Sequence, residues 1–243
     1  MIFKKYITIT CLFLIWACGT QTSQIDISSV SDDNQEKKQE PSNQPIDDSQ
    51  GIQFFMDGLM FMEQGDYSRA IIEFQDAIEM GSLSGEIYYS ISESYWMIQK
   101  YDKSIQYGLL AINYDDNNRD YSISLGKKYI ALNKLDKALD IFIEVAEKYE
   151  DNADVLFIIG DLKAELSDVD SALVYYQQAY NKDNSLILAL EVAAELSLRS
   201  NHRYSKTILK KLLLADPSNP KYLQLFIEAL PQSNNLDDIE DIV

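Results

Sequence analysis

The sequence predicts an all-α protein, a solenoid of about five helix-turn-helix units followed by one capping helix. From residue 51 onward the chain resembles itself at a period of 34 residues. Within each repeat, apolar residues recur at the three- and four-residue spacing of an amphipathic helix. Such a period is typical of repeat proteins, whose units stack and bury a continuous apolar core. The repeats begin at Gly51, Gly85, Arg119, Ala153 and Ile187.

Ahead of the repeats, the N-terminus has the features of an export signal. Lys4 and Lys5 precede the apolar run YITITCLFLIW, which has the length of a signal-peptide core and is too short to span a bilayer comfortably. The following residues, IWAC, end at Cys18 and resemble the lipobox of bacterial lipoproteins, where a small residue precedes the lipidated cysteine. This resemblance implies that residues 1–17 are a lipoprotein signal peptide and that Cys18 carries a membrane anchor. An ordinary signal peptide or an uncleaved anchor is the alternative.

Residues 18–50 are expected to comprise the lipidated cysteine and a disordered tether. From residue 19 to residue 50 there is no Phe, Tyr, Trp, Leu or Met, and seven acidic residues stand against Lys37 and Lys38. Such a segment cannot bury enough apolar surface to offset the entropy lost on ordering. As a flexible coil it reaches ~30 Å, so we expect the folded part to stand clear of a membrane surface.

Composition argues against several classes of function. The formal net charge is -18, so neither nucleic acid nor an anionic lipid surface is an expected direct partner. Cysteine occurs only at Cys11 and Cys18, and His202 is the one histidine. There is no glycine-rich phosphate loop, no Ser-His-Asp set and no metal-ligand spacing. We therefore expect no catalytic site, metal, cofactor or small-molecule substrate, and we do not expect an enzyme.

Each unit is predicted to contain two helices joined by a short polar turn. The segments QGDY (64–67), NKLD (133–136) and LSDV (166–169) supply turn and helix-capping residues. Polar segments between the units are MGSLSG (80–85), YDDNNR (114–119) and NKDNS (181–185). The fifth unit is looser, because Leu209 and Leu212 come one residue early.

A capping helix is expected after the fifth unit. Pro220 opens the run KYLQLFIEALP, and the last apolar face of a repeat array requires such a cover. We therefore assign residues 51–230 to the solenoid with its capping helix and residues 231–243 to an acidic C-terminal tail.

Small and aromatic residues recur at fixed places and resemble the tetratricopeptide repeat pattern. The third unit shows it most clearly, with Leu125-Gly126, Tyr129, Ala138 and Phe142. The resemblance implies a right-handed solenoid in which small residues lie where paired helices approach most closely. A glycine inside a helix costs ~1 kcal/mol relative to alanine, and close packing against small residues of the second helix is expected to offset that cost. The expected helix-packing residues are Gly58, Ala70, Gly126, Ala138, Gly160 and Ala172.

The same resemblance implies a concave groove lined by the first helix of each unit, through which members of this family bind other proteins. The residues carried over by position are Phe55, Leu59, Met62, Tyr89, Glu93, Trp96, Lys127, Phe157, Asp161, Glu191 and Glu195. For Phe55 and Phe157 the alternative is packing under the neighbouring helix. Lys127 is the only basic residue of this set, so we predict a protein or peptide partner that is apolar and basic.

Taken together, these features predict a non-catalytic scaffold or adaptor of the bacterial cell envelope, lipid-anchored at the outer membrane and facing the periplasm. Two lipoprotein families share this plan: the tetratricopeptide component of the β-barrel assembly machinery, and the pilotins that help place a type IV pilus secretin. No motif in the chain chooses between them, so both remain open. A self-associating structural protein of the envelope is the rival class.

Overall fold

A computed structural model describes residues 48–150 and 152–229, and this part of the chain is built of α-helices with no β-strand. The helices are α1 (Asp48–Glu63), α2 (Tyr67–Glu79), α3 (Gly85–Met97), α4 (Tyr101–Tyr114), α5 (Arg119–Ala131), α6 (Leu135–Lys148), α7 (Ala153–Glu165), α8 (Val169–Lys182), α9 (Ile187–Arg199), α10 (Ser205–Ala215) and α11 (Pro220–Ala229). Ten of them form five consecutive pairs and α11 follows alone. The predicted all-α solenoid with five pairs and a final helix is confirmed.

The helix starts follow the sequence period. Helices α3, α5, α7 and α9 begin at the residues where the second to fifth repeats were predicted to start. Helix α1 begins earlier, at Asp48 rather than Gly51, so it extends into the segment expected to be a tether. Aspartate and serine are favoured at helix starts, and Asp48 and Ser49 are the first two residues of α1. The predicted signal peptide, Cys18, the tether up to residue 47 and the acidic tail lie outside the described residues.

The turns inside the five pairs repeat one backbone conformation at the same period. A positive φ occurs at Gly65, Gln99, Asn133, Ser167 and Asn201. The next residue then donates its N–H to the carbonyl five residues before it, as Asp66 does to Phe61 at 2.9 Å. These bonds satisfy carbonyls at the end of the first helix. Glycine adopts this φ without a Cβ penalty, so Gly65 is suited to it and Gln99 is strained.

Within the first, third and fourth pairs, a glycine on the first helix meets an aromatic ring on the second. A Cβ atom placed on Gly126 would lie 2.7 Å from the ring of Phe142, and the same atom on Gly160 would lie 2.7 Å from the ring of Tyr176. Gly58 faces Phe74 in the same way. The rings are almost fully buried, so the missing side chain makes room for them.

The predicted role of the alanines changes accordingly. Ala70, Ala138 and Ala172 are fully buried, but they are not the nearest neighbours of the glycines. The atoms closest to a Cβ on each glycine belong to the aromatic residue that follows the alanine by one helical turn on the second helix. The close contact therefore joins a small residue to a large ring, rather than two small surfaces.

The end of the array differs from its middle. The turn between α9 and α10 spans residues 200–204, and α10 has 11 residues, which accounts for the irregular fifth repeat. Pro220 is the first residue of α11, where its missing N–H is tolerated. Tyr222 and Phe226 of α11 are buried against the preceding pair. Across residues 48–150 and 152–229, the structure has no helix that is both long and apolar enough to cross a bilayer.

Candidate functional site: the groove between α3 and α5

The second helix pair lacks the glycine–aromatic contact of its neighbours. Ser92 stands at the glycine place on α3, and Gly108 stands at the aromatic place on α4. The Ser92 hydroxyl donates to the carbonyl of Ser104 at 2.7 Å, and the Ser104 hydroxyl donates to the carbonyl of Ser92 at 2.8 Å. Both side chains are fully buried. Reciprocal hydrogen bonds therefore join α3 to α4 at this point.

Lys128 reaches the same junction from α5. Its ammonium donates to the Ser92 hydroxyl and to Oε1 of Glu93, both at 2.7 Å, and the residue is only 5% exposed. Oε1 of Glu93 also accepts the hydroxyl of Ser124 at 2.7 Å. Burial disfavours the charged form of an amine and lowers the pKa of Lys128, while Glu93 acts in the opposite direction. The result is an ion pair between a buried ammonium and a partly exposed carboxylate, and it joins the second unit to the third.

Aromatic rings flank this ion pair. Tyr89 stacks on Tyr121 with 5.0 Å between ring centroids, and the Lys128 ammonium lies 5.9 Å from the Tyr89 centroid. Trp96 is tilted against Tyr101 at 4.7 Å. Burial raises the pKa of Tyr89 and the charge of Glu93 adds to this rise, so the phenol stays neutral near neutral pH.

An open groove of roughly 560 Å³ lies over these residues. Its walls include Tyr89, Glu93 and Trp96 from α3, and Asp120, Lys127 and Lys128 from α5. Four residues predicted for the groove are thus brought together: Tyr89, Glu93, Trp96 and Lys127. The surface presents aromatic faces, hydroxyls and charges of both signs, which suits a peptide segment better than one small apolar ligand.

Lys128 also lines the groove, and it was not predicted from the sequence. Lys127 is therefore not the only basic residue there. One signal could have indicated Lys128. The same place in the repeat holds Met60, Ser94, Leu162 and Leu196 in the other units. A lysine at a place that is uncharged in the other four units indicates either a departure from the buried pattern or a buried charge with a partner.

The first and fourth units contribute packing rather than open surface at several predicted groove positions. Phe55, Leu59 and Met62 pack against the core of the first pair. The ring of Phe55 lies 5.8 Å from that of Phe74, and the ring of Phe157 lies 5.4 Å from that of Tyr176. Phe55 and Phe157 therefore pack against the neighbouring helix, which was the alternative to their lining the groove.

Two acidic residues predicted for the groove already have hydrogen-bond donors. Asp161 accepts the hydroxyl of Tyr176 at 2.7 Å, and burial raises the pKa of Asp161. Glu191 accepts the hydroxyl of Tyr222 at 2.7 Å, and this bond raises the pKa of Tyr222 to about 12. Glu195 is exposed, with Arg199 at 3.9 Å. With Glu93 also paired, the groove offers less unpaired negative charge than its composition suggested.

A second, more apolar recess of roughly 350 Å³ lies between α9 and α11. Leu188, Val192 and Leu225 line it, and it brings Glu191 and Glu195 together. Six of the eleven groove residues predicted from sequence therefore fall into two separate recesses, and the other five line neither of them.

His202 lies in the turn between α9 and α10. Its Nδ1 accepts the N–H of Tyr204 at 3.3 Å, so Nε2 carries the proton and donates to Asp170 at 2.9 Å. The ring thus joins the fourth and fifth units. In the part of the chain that the structure describes, no group of His, Cys, Asp and Glu side chains is arranged to hold a metal ion.

Comparison with protein families matches the tetratricopeptide repeat over residues 55–119 and 123–185, which is more than half of the chain. No curated protein matches the sequence. Similar solved structures include YrrB, a TPR protein with an unusual peptide-binding site, at a TM-score of 0.56 and 19% identity, covering 76% of this chain and 94% of that one. MamA from Desulfovibrio magneticus RS-1 has a TM-score of 0.57 at 12% identity, covering 70% and 97%. A tetratricopeptide repeat protein from Parabacteroides merdae has 0.59 at 14% identity, covering 74% and 72%. At these identities the likeness shows the fold alone.

Proposed function

The chain belongs to the tetratricopeptide repeat family, and we propose that it is a non-catalytic scaffold that binds a segment of another protein in the groove between α3 and α5. The ion pair of the buried Lys128 with Glu93, at the base of that groove, carries the proposal. Replacing a buried ion pair by apolar residues is often neutral or stabilising, so packing alone gives little reason for a lysine where the other units have methionine, serine or leucine. Recognition of a ligand that carries a charged group beside apolar ones gives such a reason.

The partner segment is apolar and carries a basic side chain. Its apolar groups contact Tyr89, Trp96 and Ile123, which line the groove. Its cation lies near Asp120 and the aromatic faces, where a cation–π contact contributes ~0.5–1 kcal/mol at an exposed site. Lys127 and Lys128 disfavour a second cation beside it. The peptide-binding site of the similar protein YrrB supports a peptide as the ligand class.

We place the scaffold in the bacterial envelope, anchored by lipid on Cys18, at the outer membrane and facing the periplasm. The lipobox-like IWAC sequence and the tether-like composition of residues 19–47 support this location. An accessory role in an outer-membrane assembly follows, with components like those of the β-barrel assembly machinery or like pilotins as the two alternatives. Metabolic labelling with a lipid precursor tests the anchor: wild type incorporates label, and Cys18→Ser does not. Equal labelling of both would contradict it.

Photo-crosslinking in cells tests the groove. A photoreactive amino acid replaces Trp96, and the matched control replaces Val174, which is half exposed on α8. We expect a specific protein adduct from position 96 that position 174 does not give, identified by mass spectrometry. No adduct at 96, or the same adducts from both positions, would overturn the assignment.

Two solution measurements separate this proposal from its rivals. Apolar peptides with a basic residue should bind the purified chain more tightly than the same peptides with an acidic residue, and the reverse order would contradict the ligand chemistry. Static light scattering should give a concentration-independent monomer. Growth of the apparent mass with concentration would instead favour the self-associating structural protein.

A further inference from the structure

Helix α1 exposes an apolar stripe on the face that points away from the rest of the array. Ile52, Met56 and Met60 are spaced four residues apart, so they lie along one side of the helix. Their side chains are 54%, 55% and 45% exposed. Three large apolar residues in one row on a single helix form a patch, which scattered surface residues do not.

The other units show that the places of Met56 and Met60 are normally covered in whole or in part, whereas the place of Ile52 is exposed in each of them. The residues equivalent to Met60 in the second, third and fourth units are Ser94, Lys128 and Leu162, which are 0%, 5% and 2% exposed. Leu162 packs in a cluster with Phe142 and Val145 of the preceding unit, and Lys128 contacts Ser92 and Glu93 of its preceding unit. Each such face is therefore covered by the unit before it. In the described part of the chain, α1 has no unit before it.

The covering element in every internal junction includes the second helix of a pair. Helix α2 packs on α3, α4 on α5, α6 on α7, and α8 on α9. The geometry of these junctions therefore defines what fits on α1: one amphipathic helix lying along its length. Methionine suits a face that accepts a helix from elsewhere, because its unbranched, polarisable side chain adapts to irregular partners.

Charge selects the kind of helix. Helix α1 contains no lysine or arginine, and Asp57 and Glu63 lie beside the stripe. A second copy would bring another helix without a cation in a chain of net charge -18, so like charges would oppose that contact. The large apolar residues of the chain's own residues 19–47 are Ile25, Ile27, Val30 and Ile46, and no three of them are spaced to form one face of a helix. A helix from another protein, apolar on one face and flanked by lysine or arginine, satisfies both requirements.

We infer that the exposed face of α1 (Ile52, Met56 and Met60) is a second docking surface, which receives a basic amphipathic helix of a partner protein. This surface is separate from the groove between α3 and α5. It completes the first junction of the array in the same way that α2, α4, α6 and α8 complete the later ones.

Binding of designed helices tests the inference. A fluorescent amphipathic helix of leucine and lysine is titrated into the purified full-length chain, with a leucine–glutamate helix as the matched probe. We expect the basic helix to bind and the acidic helix to bind at least about tenfold more weakly. In M56D/M60D the affinity for the basic helix should fall by about tenfold or more, while I72D, which places the same charge at an exposed position of α2, leaves it unchanged.

Three controls keep the outcomes distinct. Circular dichroism should show unchanged helicity in M56D/M60D, because the replaced side chains are exposed. Because the groove between α3 and α5 also favours apolar, basic segments, the titrations are repeated in the Trp96→Ala background. The loss caused by M56D/M60D should persist there, so failure of the groove proposal would not affect this result. Equal binding of the acidic helix, equal loss in I72D, or a dimer of the free protein that M56D/M60D abolishes would each overturn the inference, the last in favour of a second copy as occupant.

Discussion

The third and second helix pairs hold the same backbone junction by different chemistry. In the third pair, Gly126 of α5 makes room for the buried ring of Phe142 on α6. In the second pair, Ser92 and Gly108 occupy the corresponding places, and hydrogen bonds to Ser104 and Lys128 replace the ring contact. The difference shows that the repeat fixes the distance between the paired helices, and that either an aromatic ring or a buried hydrogen-bond network can fill the space between them.

Removing the ring from the third pair should have the largest effect. Phe142→Ala leaves a cavity next to Gly126, and truncating a buried phenylalanine costs ~3–5 kcal/mol. The free energy of unfolding, measured by denaturant titration, should fall by that amount. Ile72→Ala, at an exposed position, is the control and should change it by less than about 0.5 kcal/mol. A loss below about 1 kcal/mol for Phe142→Ala would show that the ring contact does not hold the pair together.

Breaking the ion pair of the second junction should cost nearly as much. Glu93→Ala leaves the ammonium of Lys128 buried without its carboxylate, which costs about 3 kcal/mol, the lower end of the range for such changes because Glu93 is partly exposed. The double variant Glu93→Ala/Lys128→Met should recover most of this loss, because the equivalent place in the fourth unit is filled by the buried apolar side chain of Leu162. Equal destabilisation by the single and double variants would argue that the lysine charge is not the cause.

The second junction should also make stability depend on pH in the alkaline range. The pKa of Lys128 is lowered in the folded chain, so between that value and 10.5 the unfolded chain binds one more proton than the folded chain. The contribution of Lys128 to the free energy of unfolding therefore rises with pH through that window. Lys128→Met should remove this contribution, and Lys127→Met, at an exposed position, should not. Identical pH profiles for wild type and Lys128→Met would contradict the burial of the Lys128 ammonium.

The smallest effect concerns the turn of the second pair. Gln99 adopts a φ of 61° where the first pair has Gly65. Gln99→Gly should raise the free energy of unfolding by about 1 kcal/mol, because glycine carries no Cβ into the left-handed region. Asn133→Gly in the third pair should gain less, because asparagine tolerates this conformation. A larger gain at 133 than at 99 would mean that another contact decides the energy of these turns.

Much of the fold was predictable from particular residues. The starts of four helices, the turns after Glu63 and Glu165, and the final helix opened by Pro220 all follow from spacing and from residues favoured at turns and helix ends. The reason is local. A repeat period keeps each place in the same environment from unit to unit, so one well-marked unit predicts its neighbours.

The candidate site was predictable only in part. One groove brings together Tyr89, Glu93, Trp96 and Lys127. The family pattern, applied position by position to this sequence, predicted that they would line it. The partners of the charged residues were not predictable: Asp161 with Tyr176, Glu191 with Tyr222, and Glu93 with Lys128. These pairs join different helices, and their formation depends on side-chain reach rather than on position in the repeat.

The sequence by itself determined the class of protein, the number of helix pairs and the need for small residues between helices. These features follow from the 34-residue period and from the spacing of apolar residues, which depend on the order of residues alone. Only the tertiary structure decided that aromatic rings face the glycines, that a lysine is buried in the second junction and that a face of α1 is left open. Those outcomes depend on which side chains of neighbouring units fill the same space. They also depend on pairing, because a buried charge without a partner costs several kcal/mol of stability.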